Sequence, residues 1–168
     1  MILNQKKTKV MLFNFTDNYK FTTRLEMNRE NLEVVIQATL FGVIITNDLK
    51  WDKNTEYLVK KANSRMQLLR KVAEFASSIE DKKNIYVLYV RSIMEQSSVV
   101  WQENAEDLER VQKAALRIII GKECMNYDDA LLKADMESLE DRREKLCKNF
   151  AEKSIKSGNI RANNMFKE

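Results

Sequence analysis

The sequence predicts an α+β fold that is mainly α, in which a short antiparallel, β-rich N-terminal piece precedes a helical bundle. The spacing of apolar residues changes near Trp51 from strand-like runs to a helical period. The 168 residues include no proline and only 3 glycines, which suits long helices. We therefore expect a β-rich part at 1–52, helices at 53–158 and a frayed polar tail at 159–168.

The N-terminal part predicts three strand-forming stretches. "TKVMLFNF" at 8–15 is rich in β-forming residues, and 19–36 suits a hairpin that turns at "NREN". "TLFGVIIT" at 39–46 is almost wholly apolar, which predicts one strand covered on both faces, with Gly42 as a bulge. Such short strands are marginal by themselves, so this part is typical of a fragment of a larger sheet.

The C-terminal part predicts about five helices, each with a capping signal or an apolar stripe. Asn54 or Thr55 can cap the first helix, and Ser78 and Ser138 can open later ones. Asn104 precedes another helix, and Gly121 falls where a C-terminal cap belongs. The predicted inward residues are Leu58, Ala62, Met66, Leu69 and Val72, then Ile85, Leu88, Tyr89, Ile93 and Ser97, then Leu108, Val111, Ala115 and Ile118, and finally Leu139, Leu146, Cys147 and Phe150. Tyr86 and Trp101 are expected in the core as well.

Composition narrows the function classes. A net charge of +4 permits a nucleic-acid partner without requiring one. The absence of histidine excludes a His-based metal site and a Ser-His or Cys-His catalytic pair. Cys124 and Cys147 are too few for a zinc ribbon and predict two buried thiols. Without a leader or an apolar run of about 18 residues, we expect a soluble intracellular protein, nuclear or cytoplasmic, with no membrane partner.

Tyr127, Asp128 and Asp129 spell a box like the one in which polymerase aspartates hold two Mg²⁺ ions. A metal-binding pair of that kind lies on a tight turn between two apolar strands. Here the box leads instead into "ALLKA" at 130–134, which has a helical pattern. Carboxylates are favourable at a helix N-terminus because of the helix dipole. We therefore interpret the box as the start of a helix.

Several stretches, in order, resemble the reverse transcriptases of non-LTR retrotransposons of the jockey-like kind. "LNQKKTKVMLFNFT" is similar to the palm segment after the catalytic hairpin, with Asn4, Lys7 and Thr8 matching its Asn-x-x-Lys-Thr pattern. "TLFGVIITNDLKW" is similar to the segment that grips the primer, with Phe41-Gly42 where Leu-Gly is usual. The stretches that resemble the thumb and the region beyond it are "ANSRMQLLRKV", "YVRSIMEQSSVVW", "DLERVQKAALRIIIG" and "LEDRREKLCKNFA".

The resemblance implies a piece of an RNA-directed DNA polymerase, with the end of the palm at 1–52 and the thumb from 53. The catalytic aspartates belong before "LNQKKTK", so we expect no catalysis by the chain alone and no cofactor in it, Mg²⁺ belonging to the parent enzyme. The missing palm and fingers would be its partners. By resemblance Lys7 is the general acid once that palm is supplied, and Gly42 lets a backbone approach the primer. A solvated basic edge with Lys6 and Lys9 remains the alternative for Lys7.

Lys61, Arg65 and Arg70 lie about one turn apart on the first predicted helix, a spacing that we interpret as one basic side. Such a side would contact the phosphates of an RNA–DNA or DNA duplex, and a plain solvated face is the alternative. For Arg142, Arg143 and Lys145 we expect pairing within their helix with Glu140 and Asp141. Two other functions stay open: a stand-alone helical nucleic-acid-binding module, and an inert degenerate copy of the element.

Overall fold

The computed structural model describes residues 4–15, 24–75, 78–101, 105–121 and 126–157. The chain divides into two compact units, Met1–Asn54 and Thr55–Glu168. In the described residues every strand lies before Asn47 and every α-helix begins after Trp51. The predicted class, α+β and mainly α, is therefore confirmed.

Six short strands form the N-terminal unit, after a 3₁₀ turn at Gln5–Lys7: β1 (Lys9–Val10), β2 (Glu26–Met27), β3 (Glu30–Asn31), β4 (Glu33–Val34), β5 (Gln37–Leu40) and β6 (Val43–Thr46). They pair two by two, β1 with β4, β2 with β3 and β5 with β6. The prediction of a wholly antiparallel piece is wrong for β1 and β4, which run parallel, with Lys9 Nζ 3.2 Å from Glu33 Oε2. The strand predicted over 8–15 is reduced to β1.

Two hairpins turn on pairs of residues with positive φ. Asn28 and Arg29 join β2 to β3, as the turn predicted at "NREN" requires. The single strand predicted over 39–46 is wrong, because Phe41 (φ +49°) and Gly42 (φ +81°) fold it into the β5–β6 hairpin. Two-residue hairpin loops favour positive φ at both positions, which glycine adopts without strain. Gly42 is therefore a turn residue and not a bulge.

The chain leaves β6 through a side-chain turn. The Asp48 carboxylate accepts hydrogen bonds from the Thr46 hydroxyl, at 2.6 Å, and from the Lys50 N–H, at 3.1 Å. The Asn54 side chain, predicted as a helix cap, instead accepts the N–H of Ile44 at 3.0 Å. Helix α1 (Asp52–Phe75) already begins at Asp52, so Asn54 and Thr55 lie inside its first turn, where both are buried.

The other helices are α2 (Ile79–Tyr86), which continues through a π turn at Val87–Arg91 into α3 (Ser92–Met94), and then α4 (Ala105–Ile120), α5 (Tyr127–Ala134) and α6 (Leu139–Lys156). Helix α4 packs against α2, α5 and α6, and α2 also packs against α5. The described part of the chain contains no helix with the length and apolar character needed to cross a bilayer.

The apolar stripe predicted on α1 is confirmed at Leu58, Ala62, Met66 and Leu69, which are at most 1% exposed, whereas Val72 is half-buried. The stripe predicted from Ile85 to Ser97 is wrong. The buried residues there are Tyr86, Val90 and Met94, whereas Leu88 and Tyr89 are exposed. The π turn closes i→i+5 bonds and winds more slowly than an α-helix, so residues spaced by four stay in line.

Three of the predicted helix ends are confirmed, at Ser78, Ser138 and Gly121. The hydroxyls of Ser78 and Ser138 each accept the N–H three residues on, at 3.0 Å. The Asn126 side chain accepts the Asp129 N–H at 2.7 Å and opens α5. Gly121 follows α4 with φ +89° and donates its N–H to the Arg117 carbonyl. Asn104, Cys124 and the polar tail from 159 lie outside the described residues. On α6 the prediction that Phe150 points inward is wrong, because Phe150 is exposed, and Cys147 is half-buried.

Removing either serine cap should weaken the helical unit. We expect Ser78→Ala and Ser138→Ala each to lower the free energy of unfolding by about 1 kcal/mol in urea denaturation, because one N–H of the first helical turn loses its acceptor. The control is Ser64→Ala, on the exposed side of α1, where alanine has the better helix propensity and should cost nothing. An equal loss in the control variant would show that the caps contribute nothing specific.

Candidate nucleic-acid interface

Lys7 is the last residue of the 3₁₀ turn, and its side chain is exposed. Its N–H donates to the Asn4 carbonyl at 3.1 Å, and the Thr8 hydroxyl donates to the same carbonyl at 2.9 Å. The Asn-x-x-Lys-Thr motif thus closes one local turn around a single acceptor. These local hydrogen bonds account for the motif in structural terms. The general-acid role of Lys7 stays a prediction.

Gly42 is half-buried at the tip of the β5–β6 hairpin, beside Phe41, which is 90% exposed. Its positive φ accounts for glycine at this position without any ligand. The predicted approach of a primer backbone to Gly42 therefore stays a prediction.

Helix α1 carries five cations and no carboxylate between Tyr57 and Ala73, namely Lys60, Lys61, Arg65, Arg70 and Lys71. Four of them are exposed, and Lys61 is half-buried with its Nζ 5.6 Å from the centre of the Tyr57 ring. The apolar stripe of α1 is buried, so the cations occupy the remaining surface of the helix. The local density of positive charge is high enough to attract a polyanion.

The helix geometry corrects the predicted grouping of Lys61, Arg65 and Arg70. Successive residues of an α-helix turn by about 100°, so Arg65 lies about 40° around the axis from Lys61. Arg70 lies nine residues from Lys61, about half a turn away on the other flank. By the same count Lys60 and Lys71 lie about 100° and 80° from Lys61, on the side away from Arg65. We define the α1 basic face as Lys60, Lys61, Arg65 and Lys71, which share an arc of about 140°.

Lys60 and Lys71 were not predicted as site residues, although their spacing on the helix indicates a shared side. Lys60, Ser64, Gln67 and Lys71 follow the i, i+4, i+7, i+11 spacing of a single helix side. These four residues lie opposite the stripe that contains Leu58 and Met66. The helical spacing of polar residues therefore indicates this side of α1, as the spacing of apolar residues indicates the buried side.

The α1 cations differ from those of the other helices in their partners. None of the five forms an ion pair with a carboxylate in the described part of the chain. On α2 to α6 and the π turn, by contrast, seven cations do so: Lys83, Arg91, Arg110, Arg142, Lys145, Lys148 and Lys156. An unpaired exposed cation can bind an external anion without first breaking an ion pair.

Three cations in the first half of α6 contact residues outside that helix. Arg142 pairs with Glu95, and Lys145 pairs with Glu137, so the pairing predicted with Glu140 and Asp141 is wrong. The buried Arg143 donates to the Trp101 carbonyl at 2.8 Å, with its guanidinium carbon 4.4 Å from the centre of the indole ring. These three side chains are thus committed to internal contacts.

The Tyr-Asp-Asp box opens α5, as predicted. Asp128 and Asp129 are exposed in its first turn and point about 100° apart around the axis, so they do not converge on a shared ion. Tyr127 points inward, donating its hydroxyl to the Glu109 carboxylate and accepting from Gln112 Nε2 at 3.0 Å. Among the described residues no group of three or more Cys, Asp or Glu side chains could hold a metal ion.

Gln112 is the buried centre of a polar network that connects four segments. Its Oε1 accepts the Tyr86 hydroxyl at 2.7 Å, and its Nε2 donates to the Tyr127 hydroxyl and, at 2.9 Å, to the Glu137 carbonyl. The second carboxylate oxygen of Glu109 accepts the Glu140 N–H at 2.9 Å. The sequence signal was a glutamine on the apolar stripe of α4, four residues after Leu108.

Burial keeps the phenols of this network neutral. Burial and the hydrogen bond to Glu109 raise the pKa of Tyr127 above its usual value near 10. Burial also raises the pKa of Tyr86. Both hydroxyls therefore remain hydrogen-bond donors over the whole physiological range.

No protein-family model, curated protein or solved structure matches the chain. The assignment of a candidate nucleic-acid interface therefore rests on the geometry of α1 and on the sequence resemblance.

Tyr127→Phe should make the helical unit less sensitive to alkali. The folded-state pKa of Tyr127 lies above the unfolded value near 10, so its stabilising contribution is complete below about pH 10 and is lost as the pH rises toward the folded pKa. We expect the variant to be less stable by about 1 kcal/mol at pH 8, because one buried donor is lost, and the difference to narrow above pH 10.

The measurement is urea denaturation at pH 8, 10 and 11, with Tyr57→Phe, at an exposed tyrosine of α1, as the control. The free energy of unfolding of the control should follow the wild type at every pH. A constant difference between wild type and Tyr127→Phe up to pH 11 would contradict the buried neutral phenol.

Proposed function

We propose that the chain binds the sugar–phosphate backbone of a nucleic-acid duplex through the α1 basic face, as the thumb-side part of an RNA-directed DNA polymerase. The observation that carries this proposal is that the five cations from Lys60 to Lys71 form no ion pair in the described residues, whereas seven of the thirteen cations on α2 to α6 and the π turn are paired. A basic face that is only solvated gives no reason for its cations to lack ion pairs.

The dimensions of the α1 basic face suit a duplex. Lys60 and Lys71 are eleven residues apart, about 16 Å along the helix axis, which corresponds to the rise of about five base pairs. Long lysine and arginine side chains can reach several phosphates over that length. Contacts to phosphates position a protein on nucleic acid without reading its sequence, so binding should show little sequence preference.

The polymerase context is supported by the resemblance of the ordered motifs to non-LTR reverse transcriptases. In that context the duplex is an RNA–DNA hybrid of template and primer, and the metal-binding aspartates and Mg²⁺ belong to a palm outside this sequence. Lys7 would then donate a proton to the departing pyrophosphate, and the β5–β6 hairpin with Gly42 would lie against the primer. The parent reaction is metal-assisted transfer of nucleotides to the primer end.

A stand-alone nucleic-acid-binding module is the second candidate. It is favoured by the compact helical unit, which has its own buried residues around α4 and its own polar network. Both candidates use the same α1 basic face. They differ in whether a palm must be supplied before the chain contributes to synthesis.

The salt dependence of duplex binding tests the proposal. We expect the variant with Lys60, Lys61, Arg65 and Lys71 replaced by Gln to bind a fluorescein-labelled RNA–DNA hybrid more weakly than wild type. In fluorescence anisotropy at several salt concentrations, the slope of log affinity against log salt should shrink by roughly three to four units. The reason is that each phosphate contact releases condensed counterions on binding, and the variant makes fewer such contacts. Arg70→Gln alone should leave the slope unchanged, because Arg70 lies outside the α1 basic face.

The matched control removes four exposed cations elsewhere, with Arg110, Lys148, Lys153 and Lys156 replaced by Gln. Its net charge equals that of the α1 variant, so the two variants differ in the position of the lost charges and not in their number. Equal slopes in the two variants would mean that overall charge drives binding. Absence of duplex binding by the wild-type chain would reject the proposal and leave the inert copy.

A further inference from the structure

Exposed apolar side chains run along the middle of the α1 basic face. They lie eleven and seven residues apart, which places them within about 20° of one another around the helix axis. We call them the apolar midline: Tyr57, 40% exposed, Leu68, 38% exposed, and Phe75, 87% exposed. The midline divides the cations of the face, with Lys60 and Lys71 on one side and Lys61 and Arg65 on the other.

Apolar groups between cations are the arrangement found in sites that hold single-stranded nucleic acid. In such sites the cations follow the phosphates, and aromatic side chains stack on the bases. A singly exposed apolar residue needs no such explanation. The shared direction of the midline and its place between cations distinguish it from exposed apolar residues of the other helices, such as Leu88 and Phe150.

Phe75 offers the open aromatic ring of the midline. The Tyr57 ring faces the ammonium group of Lys61, whose Nζ lies 5.6 Å from the ring centre, and Leu68 has no ring. Among the described residues no cation lies over the Phe75 ring, and its high exposure leaves a ring face accessible. A ring with an accessible face can stack on a nucleobase of any sequence.

The charges at the end of α1 disfavour a phosphate beside Phe75. The last cation of the face is Lys71, and Phe75 lies four residues further on, about 6 Å along the axis. The exposed Glu74 precedes Phe75, and the C-terminal end of a helix carries a partial negative charge. Phosphates are therefore favoured between Lys60 and Lys71, whereas the surface at Phe75 suits an uncharged aromatic ring.

We propose that Phe75 stacks on an unpaired base that adjoins the duplex segment on the α1 basic face. This contact rests on the proposed function, since the cations must hold the backbone before the ring can reach a base. Within a duplex the neighbouring pairs cover both faces of each base, so the ring finds a stacking partner only where pairing ends. The chain would thus favour the junction of a duplex with single strands.

An anionic membrane surface fits this end of α1 less well. Insertion of Phe75 into lipid would bring Glu74 and the negative end of the helix against the anionic headgroups. The midline is also narrow, at about 20°, whereas helices that lie in a membrane surface present a broad apolar face.

Two forked hybrids of equal charge test the stacking contact on the full chain. Each is an RNA–DNA hybrid with unpaired ends on both strands, and in one of them the unpaired nucleotides are abasic. We expect wild type to bind the hybrid with bases about fivefold or more tightly than the abasic one in fluorescence anisotropy, because only the former offers a stacking partner. Equal affinity for the two hybrids would overturn the proposal and leave the duplex interface standing. Absence of binding to both would reject the duplex interface itself, and the stacking contact with it.

Three replacements of Phe75 separate stacking from apolar contact. Phe75→Ala and Phe75→Leu should remove the preference for the hybrid with bases, whereas Phe75→Trp should retain it, because tryptophan also stacks. All three variants should bind the abasic hybrid like wild type, since the cations are unchanged. Phe150→Ala, at an exposed phenylalanine of α6, is the matched control and should keep the preference. A preference that survives in Phe75→Ala would reject Phe75 as the stacking residue.

Vesicles of phosphatidylserine test the membrane alternative. We expect Phe75→Ala to cosediment with these vesicles to the same extent as wild type. Weaker cosedimentation of Phe75→Ala, with an unchanged preference between the two hybrids, would overturn the proposal in favour of a lipid surface.

Discussion

The side-chain amide of Gln112 is the point at which the segments of the helical unit meet. It is fully buried on α4, and each of its polar hydrogens and its oxygen has a partner, in α2, in α5 and in the link before α6. A buried amide left without partners costs several kcal/mol, so this contact is formed only when all of these segments are in place. Tyr127 thereby acquires a structural role, which explains a tyrosine before Asp128 and Asp129 without a metal ion.

The α1 basic face follows from a separate constraint, the burial of the apolar stripe of α1. Burial of Leu58 and Met66 fixes the rotation of the helix about its axis, and this rotation leaves Lys60 and Lys71 outward. Cations of α6 such as Arg142 are drawn into contacts between helices. The five cations from Lys60 to Lys71, by contrast, form no ion pair in the described residues, so the proposed duplex contact would break none.

Two helix caps and the apolar stripe of α1 were predicted from neighbours in sequence, whereas the β5–β6 turn, the π turn and the contacts between distant residues were not. The caps at Ser78 and Ser138 and the stripe on α1 are set within one or two turns of helix. The turn at Gly42 was missed because an uninterrupted apolar run resembles one buried strand. The partner of Arg142 is Glu95, 47 residues away, which local spacing cannot reveal. In the candidate site, the sequence spacing grouped Arg70 with Lys61 and Arg65, although the nine-residue separation of Lys61 and Arg70 corresponds to a rotation of about half a turn.

The central claim is that α1 contacts the duplex with one side. The direct measurement is NMR of the isotope-labelled chain, with the side-chain signals of lysine and arginine followed as an RNA–DNA hybrid is added. The account predicts that the largest changes occur at Lys60, Lys61, Arg65 and Lys71, with small changes at Arg110 and Lys148. Changes that are spread evenly over all exposed cations, or concentrated on α4 and α6, would contradict it.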